Sequence, residues 1–262
     1  MLAAKAGSPC LTTKGPKGVI RGRPGSCELR NFTVSFDVMC GRFTLHSRDR
    51  IKLKGLVLDL PFEPRYNIAP SQEIVAIADF GHGIEARSLV WGLIPSWSSD
   101  GKAFINARAE SLEDKPSFSE SFQRRRCLIP ADGFFEWRSV GGSKQAYYLQ
   151  LDDELPFAFA GVWDRWANAE SSIISCAIIT TAANDLVELL HDRMPAILEP
   201  NSDDLWLDRK TDPAVLKNLL APFPASKMKS HPVSRAVNAP EHDSKGLIEP
   251  VDGEVGTTRS LF

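Results

Sequence analysis

The chain of 262 residues is 43% hydrophobic and 24% charged, a composition typical of a globular protein with a substantial core. Its formal net charge of −2 excludes a global attraction for nucleic acid, so an anionic partner has to meet a local basic patch. No apolar run approaches a membrane span, and the N-terminus lacks the apolar core of a signal peptide.

Residues 1–38 differ in composition and patterning from the rest of the chain. They are basic, contain several Gly and Pro, and show no apolar periodicity. Three interpretations fit: a disordered basic tail, a transit-like peptide, or sequence upstream of a misassigned start codon. We favour the third, because Met39 stands directly before Cys40, and we expect this extension to be non-native or disordered.

The middle of the chain predicts a series of strands, rich in apolar and β-branched residues. They are Glu73–Phe80, Ala86–Ile94, Cys127–Ser139, Ala146–Leu151, Phe157–Trp166 and Ser172–Thr181. The glycines between the first two predict a turn, and Gly141–Ser143 predicts a hairpin.

Fewer segments predict helices, and all of them follow the strands. Asp185–His191 has Asn184 as a candidate N-cap, and Asn201–Lys210 has Ser202 with acidic residues in the first turn. A third helix is predicted over Asp212–Pro224. Strands in the middle with helices at the periphery favour an α+β fold over an alternating α/β fold.

The five cysteines form no metal-binding or disulfide pattern. They are Cys10, Cys27, Cys40, Cys127 and Cys176, without a CxxC spacing. Cys127 and Cys176 lie in apolar runs and are interpreted as small core residues. An odd number without a framework indicates a reducing compartment, so we expect a cytoplasmic protein, nucleoid-associated if the source is bacterial.

Two short polar motifs are candidates for chemistry. Cys40 precedes Gly41, which allows close approach of a ligand, although a turn glycine beside a buried cysteine is the plainer interpretation. Asn106 and Arg108 face the same side of an extended segment and suit a phosphate group. Equally, Asn106 is a cap and Arg108 a surface residue paired with Glu110.

Glu136 and His191 are candidate proton-transfer groups. Glu136 lies among aromatic residues, where burial would raise its pKa towards neutrality; alternatively it faces outward on an amphipathic strand. His191 is a helix-end cation, a core residue or a proton-transfer group. His231 and Arg235 show the same ambiguity.

Aromatic and basic residues supply the ingredients of single-strand binding, namely stacking surfaces and phosphate contacts. The set comprises Arg65, Tyr66, Trp91, Trp97 and the basic run 124–126. The alternative is a set of core aromatics with a solvated basic turn. We expect Trp91 to be buried within a strand and Trp97 to be exposed.

Seven segments, taken together and in order, resemble one family. They are MCGRF, RYNIAPSQ, WGLIPSW, INARAES, RCLIPADGFFEW, HDRMP and HPVSRAVN. The chain resembles the SRAP (SOS response-associated peptidase) family from Met39 to Pro250. The resemblance implies a single α+β domain over 39–250, built around an irregular, barrel-like antiparallel sheet with peripheral helices. Residues 1–38 then form an extension and 251–262 a C-terminal tail.

The resemblance also implies a function in the DNA damage response. Family members bind abasic sites in single-stranded DNA and form a covalent crosslink through a Cys that follows the initiator Met. Mapped onto this sequence, the family's active-site positions are Cys40, Asn106, Glu136 and His191. Arg42 and Arg108 match positions that contact the DNA backbone, while Trp97 and Arg65 are further candidates for binding the strand.

Only an N-terminal Cys offers an amine and a thiol together. That pair closes a thiazolidine ring on an aldehyde. A free α-amine has a pKa of about 7.7–8.0, so a useful fraction of the amine is neutral and nucleophilic at pH 7. With the extension attached, the Cys40 nitrogen is an amide. Either translation starts at Met39, which is then removed, or the extension is cut by an autopeptidase step.

The expected protein is therefore an SRAP-type thiol autopeptidase with a lyase-like crosslinking activity. Its expected partner is single-stranded DNA with abasic sites; no membrane, metal or organic cofactor is expected, and a monomer suffices. Two other functions compete with this one. The chain could be a cysteine peptidase acting on other proteins, or a non-catalytic single-strand binder.

Overall fold

The computed structural model describes residues 40–47, 63–199 and 201–252, together with the backbone of 52–53 and 56–57. These residues belong to one compact unit, 31–262. The predicted extension 1–38 and the tail beyond residue 252 lie outside the described residues, as do Cys10 and Cys27.

Strands dominate the part of the chain that the structure describes. They are β1 (Phe43–Leu45), β2 (Lys52–Leu53), β3 (Leu56–Val57), β4 (Arg65–Ile68), β5 (Glu73–Asp79), β6 (Ile84–Trp91), β7 (Asn106–Arg108), β8 (Arg126–Ala131), β9 (Gly133–Val140), β10 (Ser143–Leu151), β11 (Phe157–Ala167), β12 (Ser172–Ala182), β13 (Arg193–Pro195) and β14 (Met228–Pro232). The helices are short: α1 (Ser119–Arg124), α2 (Asp203–Leu207) and α3 (Pro213–Asn218).

Five strands close into a barrel. They neighbour one another in the order β11-β8-β5-β6-β12, and β12 pairs again with β11, which closes the ring. Only the β6–β12 pair of this ring is parallel. Two short strands extend the barrel sheet: β13 pairs with β12 antiparallel, and β7 pairs with β12 in parallel. The predicted α+β fold with a barrel-like sheet is confirmed.

A second sheet, in the order β14-β10-β9-β1-β4, is antiparallel throughout and packs on the barrel. Phe43 of β1 joins the two, because its ring contacts Trp91 of β6 at 5.2 Å and Phe159 of β11 at 5.8 Å between ring centroids. Phe43 is buried, as is Phe134 opposite it on β9. This contact fixes β1, and with it Cys40 three residues earlier.

The predicted strand Cys127–Ser139 is wrong as one element, since it consists of β8 and β9 in different sheets. Asp132 stands between them. Its buried carboxylate accepts the backbone N–H groups of His46 and Ser47, which anchors the chain after β1 to this corner. The predicted hairpin is confirmed, because Val140 pairs with Ser143 across a turn whose glycines have φ of 56° and 83°.

The helix predictions are only partly correct. The predicted helix Asp185–His191 is a series of turns, although Asn184 caps it as expected by accepting the N–H groups of Leu186 and Val187. The backbone bonds that the segment makes are mixed, since the N–H of Glu188 donates to the carbonyl of Asn184 and the N–H of Leu190 to that of Val187, and no regular helix forms.

The two helices after β13 are shorter than predicted. α3 begins beyond Asp212, which caps it through the N–H of Ala214 at 2.7 Å, and ends at Asn218 rather than at the following proline. Ser202 precedes α2 without a side-chain cap bond, and its hydroxyl donates to the carbonyl of Glu199. α1 has no counterpart among the predicted helices.

We expect Gly133→Ala to lower the free energy of unfolding by about 1–3 kcal/mol, the range for overpacking a dense interior. A Cβ at this position would lie 2.6 Å from the carbonyl oxygen of Leu149 and closer still to the Tyr148 ring. Urea unfolding measures the loss. Gly246→Ala is the matched control, because a Cβ there meets nothing within 4 Å; equal losses in both variants would contradict the packing argument.

Candidate active site

One buried carboxylate holds both functional groups of Cys40. Glu136 Oε1 accepts the Cys40 backbone N–H at 2.7 Å, and the Cys40 thiol hydrogen-bonds the same carboxylate. The pairing of β1 with β9 produces this contact, because it continues past the strand through the N–H of Phe135, which donates to the carbonyl of Arg42 at 3.0 Å. Glu136 and Cys40 are 2% and 3% exposed.

The buried environment of Cys40 and Glu136 favours the uncharged forms of the thiol and the carboxyl group. Burial raises the pKa of Glu136, and the hydrogen bonds from Cys40 and the charge of His191 oppose that effect. Burial also raises the pKa of the Cys40 thiol well above its usual range; the Glu136 charge adds to the rise, and Arg193 counters it. A protonated thiol therefore lies beside a carboxylate with increased proton affinity, which is the arrangement that general acid–base catalysis needs.

Cys40 has a backbone conformation that a cysteine rarely adopts. Its φ is 48°, in the left-handed region, which costs on the order of 1 kcal/mol for a residue with a Cβ. The bond to Glu136 helps to hold it there. Strain of this kind is concentrated at functional sites, and here it falls on the predicted nucleophile.

His191 lies beside this pair, between the turns at 185–190 and β13. Its Nδ1 lies 3.1 Å from the backbone nitrogen of Arg193 and 2.7 Å from a carboxylate oxygen of Asp192. These two contacts set the orientation of the ring beside Glu136.

Asn106 and Arg108 lie on β7, which runs parallel to the end of β12 with Asn106 opposite Ile178. β13 also pairs with the end of β12, so β7 and the segment after His191 converge there. Asn106 is half-buried and Arg108 exposed. The structure thus groups Cys40, Glu136 and His191 directly, and β12 links Asn106 to them.

Sequence reasoning missed Arg193 and Glu110 as members of the site. Arg193 donates from both terminal nitrogens to the two carboxylate oxygens of Glu110, and also to the carbonyl of Thr180 at 2.7 Å. Its charge reaches the Cys40 thiol. The available signal was its place in the HDRMP motif, two residues after His191.

Arg42 is engaged in internal bonds. Its guanidinium donates to the side chain of Asn67 at 3.0 Å and to the carbonyls of Val237 and Asn238 at 2.6 and 3.2 Å. Asn67 is fully buried and donates to the same carbonyl of Val237. The two side chains together clamp the segment around Val237 onto β1 and β4.

Arg65 has a similar internal role, whereas Trp97 is available to a ligand. Arg65 donates to Asp243 and, at 2.6 Å, to Gln72. Trp97 is 62% exposed and its ring nitrogen donates to the carbonyl of Pro116 at 3.3 Å, while Trp91 is fully buried. The predicted exposure of Trp97 and burial of Trp91 are confirmed.

Two other candidates prove to be structural. Arg126 is buried and donates to four backbone carbonyls, those of Phe122, Gln123, Trp206 and Asp208. It therefore joins α1 to α2 rather than forming a solvated basic turn. His231 Nε2 lies 2.8 Å from the carbonyl oxygen of Ile248, away from Cys40 on the outer strand β14.

The family model described as "SOS response associated peptidase (SRAP)" matches residues 39–240. This chain belongs to the SRAP family. It is 43% identical over 222 residues to the abasic site processing protein YoqW of Bacillus subtilis, covering 80% of this chain and 99% of that protein. The abasic site processing protein YedK of Escherichia coli is 30% identical over 228 residues, covering 81% and 100%.

Solved structures share the SRAP fold of this chain. A protein from Bacteroides thetaiotaomicron superposes with a TM-score of 0.68 at 29% identity, covering 75% of this chain and 92% of that one. A phage-related protein from Bordetella bronchiseptica gives 0.62 at 29% identity, covering 75% and 95%.

The described part of this SRAP chain contains neither a cluster of metal-ligand residues nor a membrane-spanning helix. Its residues include no group of three or more His, Cys, Asp or Glu placed to hold a metal ion. Within the same ranges, no helix is long and apolar enough to cross a membrane.

Glu136→Gln should change how the stability of this SRAP chain depends on pH. Because burial raises the folded-state pKa of Glu136 above 4.5, the folded state binds more protons than the unfolded state, and stability is lost as pH rises through the folded pKa. We expect the unfolding free energy of the wild type, relative to the variant, to fall from about pH 4.5 upwards, measured by urea unfolding at several pH values.

Glu110→Gln is the control with the opposite sign. The hydrogen bonds from Arg193 lower the pKa of Glu110, so the wild type should gain slightly over this variant as pH rises, by a small amount because the side chain is exposed. Parallel curves for wild type and Glu136→Gln would contradict the role of burial.

Proposed function

We propose that this chain processes abasic sites in single-stranded DNA by forming a thiazolidine crosslink through Cys40, as part of a DNA damage response. The observation that carries the proposal is the position of the Cys40 nitrogen, 2.7 Å from a buried carboxylate that also holds the Cys40 thiol. The names of its relatives, abasic site processing proteins, support the same activity.

The amine of Cys40 reacts first. An abasic sugar opens to an aldehyde, and the neutral α-amine adds to its carbon, which makes a C–N bond and, after proton transfer, a carbinolamine hydroxyl. Glu136, in its protonated form, gives a proton to that hydroxyl as it leaves as water. The product is an iminium ion between the sugar carbon and the Cys40 nitrogen.

The thiol then closes the ring. It starts protonated, because burial raises its pKa, so the sulfur becomes a nucleophile only when its proton passes to Glu136. Sulfur adds to the iminium carbon and completes a five-membered thiazolidine. One aldehyde and one aminothiol are consumed and one water is released, with Glu136 returned to its starting protonation state.

The neighbouring residues assist these steps. His191 protonates or polarises the sugar ring oxygen as the ring opens, and Asn106 orients the Cys40 nitrogen. Arg108, which is exposed, contacts a phosphate beside the lesion. Arg42 and Arg65 contact the strand with the donors that their internal bonds leave, since those bonds engage two nitrogens of each guanidinium.

The crosslink requires a free amine at Cys40, so residues 1–39 must be absent or removed. We propose hydrolysis of the bond before Cys40, by the chain itself, when that bond is present. The strained φ of Cys40 favours cleavage, because the constraint on this torsion ends once the nitrogen carries no acyl group. Cys40, Glu136 and His191 are the groups that this autopeptidase step would use.

Cys40→Ser should abolish a crosslink that survives denaturation, because an amine and a hydroxyl form no persistent ring with an aldehyde. Protein beginning at residue 40 is incubated with an abasic single strand, then resolved by denaturing gel and intact mass. Cys127→Ala is the matched control and should crosslink like wild type, since Cys127 is buried in the barrel core.

Two further measurements distinguish this function from a cysteine peptidase acting on other proteins and from a non-catalytic single-strand binder. Methoxyamine, which caps aldehydes, should prevent the crosslink, whereas peptide hydrolysis by a general cysteine peptidase would be unaffected. Retention of abasic DNA by Cys40→Ser under denaturing conditions would overturn the proposal.

Trp97→Ala should raise the Kd for an undamaged single strand roughly tenfold, because base stacking on an aromatic ring contributes on the order of 1–3 kcal/mol per base. The ring is exposed while its nitrogen is tethered to Pro116, which leaves its face to a base. Fluorescence anisotropy measures the change. Trp97→Phe keeps a stacking surface and should bind more tightly than Trp97→Ala; equal affinities of the two variants would rule out stacking.

A further inference from the structure

The guanidinium of Arg193 already holds an anion that belongs to the chain itself. Its terminal nitrogens contact both oxygens of Glu110, one of them at 2.9 Å, and one nitrogen also donates to the carbonyl of Thr180. Its Nε is buried and has no hydrogen-bond partner among the residues that the structure describes. Arg193 is thus firmly placed beside the reactive centre while retaining one free donor.

Glu110 is an unusual partner for a residue so close to a DNA-binding site. Its side chain is 57% exposed, against 13% for Arg193. The hydrogen bonds from Arg193 lower the pKa of this carboxylate, so it is ionised at neutral pH. It stands two residues after Arg108 in the short 3-10 turn Ala109–Ser111, which places a negative charge beside the exposed cation proposed to meet phosphate.

A carboxylate and a phosphate present the same two-oxygen edge to a guanidinium. We propose that Glu110 is an internal competitor for the phosphate of a DNA strand at Arg193, and thereby determines how weakly the chain binds undamaged DNA. The inference rests on the proposed function, because it assumes that a single strand passes this site. Thr180 keeps Arg193 in position while the two anions exchange.

This competition makes the covalent reaction, rather than affinity for the strand, decide which DNA stays bound. A strand without a lesion has to displace Glu110 and gains no covalent bond in return, so it dissociates readily. A strand with an abasic aldehyde also has to displace Glu110, but it is then held by a covalent bond to Cys40. Glu110 therefore reduces occupancy by the large excess of normal strand without reducing capture of the lesion in the same proportion.

The test measures binding of an undamaged single-stranded oligonucleotide, which cannot crosslink, to protein beginning at residue 40. Glu110→Gln should tighten binding by at least about threefold, the scale of one exposed ion pair. The plot of log affinity against log salt should steepen by up to about 0.7, the contribution of one phosphate on a single strand, because the counterion released there is no longer offset by the cation that the displaced Glu110 attracts. Fluorescence anisotropy at several salt concentrations gives both values.

Glu113→Gln is the matched control, because Glu113 is three residues away, loses the same charge and also has a cationic partner, Lys217. It should leave the salt dependence unchanged. In an Arg193→Gln background, Glu110→Gln should no longer tighten binding. If Arg193→Gln fails to fold, the comparison of the two glutamate variants still decides the question.

Weaker or unchanged binding by Glu110→Gln would overturn the inference and make Glu110 a residue that positions Arg193. Equal gains from Glu110→Gln and Glu113→Gln would also overturn it, by reducing the effect to net charge. Failure of the proposed function is separate: the wild type would then form no crosslink with an abasic strand, whatever the affinities for undamaged DNA.

Discussion

The contact between Glu136 and the main-chain nitrogen of Cys40 is the constraint on which the site depends. A carboxylate in an apolar interior is unfavourable unless hydrogen-bond donors surround it. Two of its donors come from a single residue, the amide and the thiol of Cys40, and the backbone N–H of Trp137 supplies another. The interaction that makes Glu136 tolerable in the fold therefore also places the nitrogen and the sulfur of Cys40 on one carboxylate.

The fold is arranged to deliver that contact. β1 is only three residues long, yet it pairs with β9 on one side and β4 on the other, and its Phe43 packs against aromatic rings of the barrel. Glu136 lies on β9 of the second sheet, whereas Arg193 begins β13 of the barrel sheet and His191 stands just before it. The candidate site thus forms where the two sheets meet, and neither sheet contains it alone.

Prediction from sequence succeeded where local pattern decides and failed where distant contacts decide. Continuous apolar runs identified the long strands, but the break at Asp132 depends on two N–H groups from the end of β1, which no local pattern indicates. The orientation of Glu136 was open for the same reason, since alternation permits either face. Three-residue strands such as β1 and β7 have no periodicity to detect.

The family motifs predicted the candidate site better than the local properties of its single residues did. Cys40, Glu136 and His191 are each candidates from their local sequence, but the resemblance alone groups them, and the structure brings these three together. The pairing of Arg193 with Glu110 was missed, because it joins residues 83 positions apart. The contact of Arg42 with DNA stays a prediction, and its bonds to the carbonyls of Val237 and Asn238 were missed, because that segment is almost two hundred residues away.

That clamp has a consequence for how the protein is made. Asn67 and Arg42 fix the residues around Val237, near the end of the domain, to the segment that joins Cys40 to β1 and to β4. During synthesis the chain leaves the ribosome from its N-terminus, so Cys40 emerges long before the segment that secures its neighbours. The candidate site is therefore completed last, and a nascent chain cannot hold Cys40 in place until nearly all of the domain has been translated.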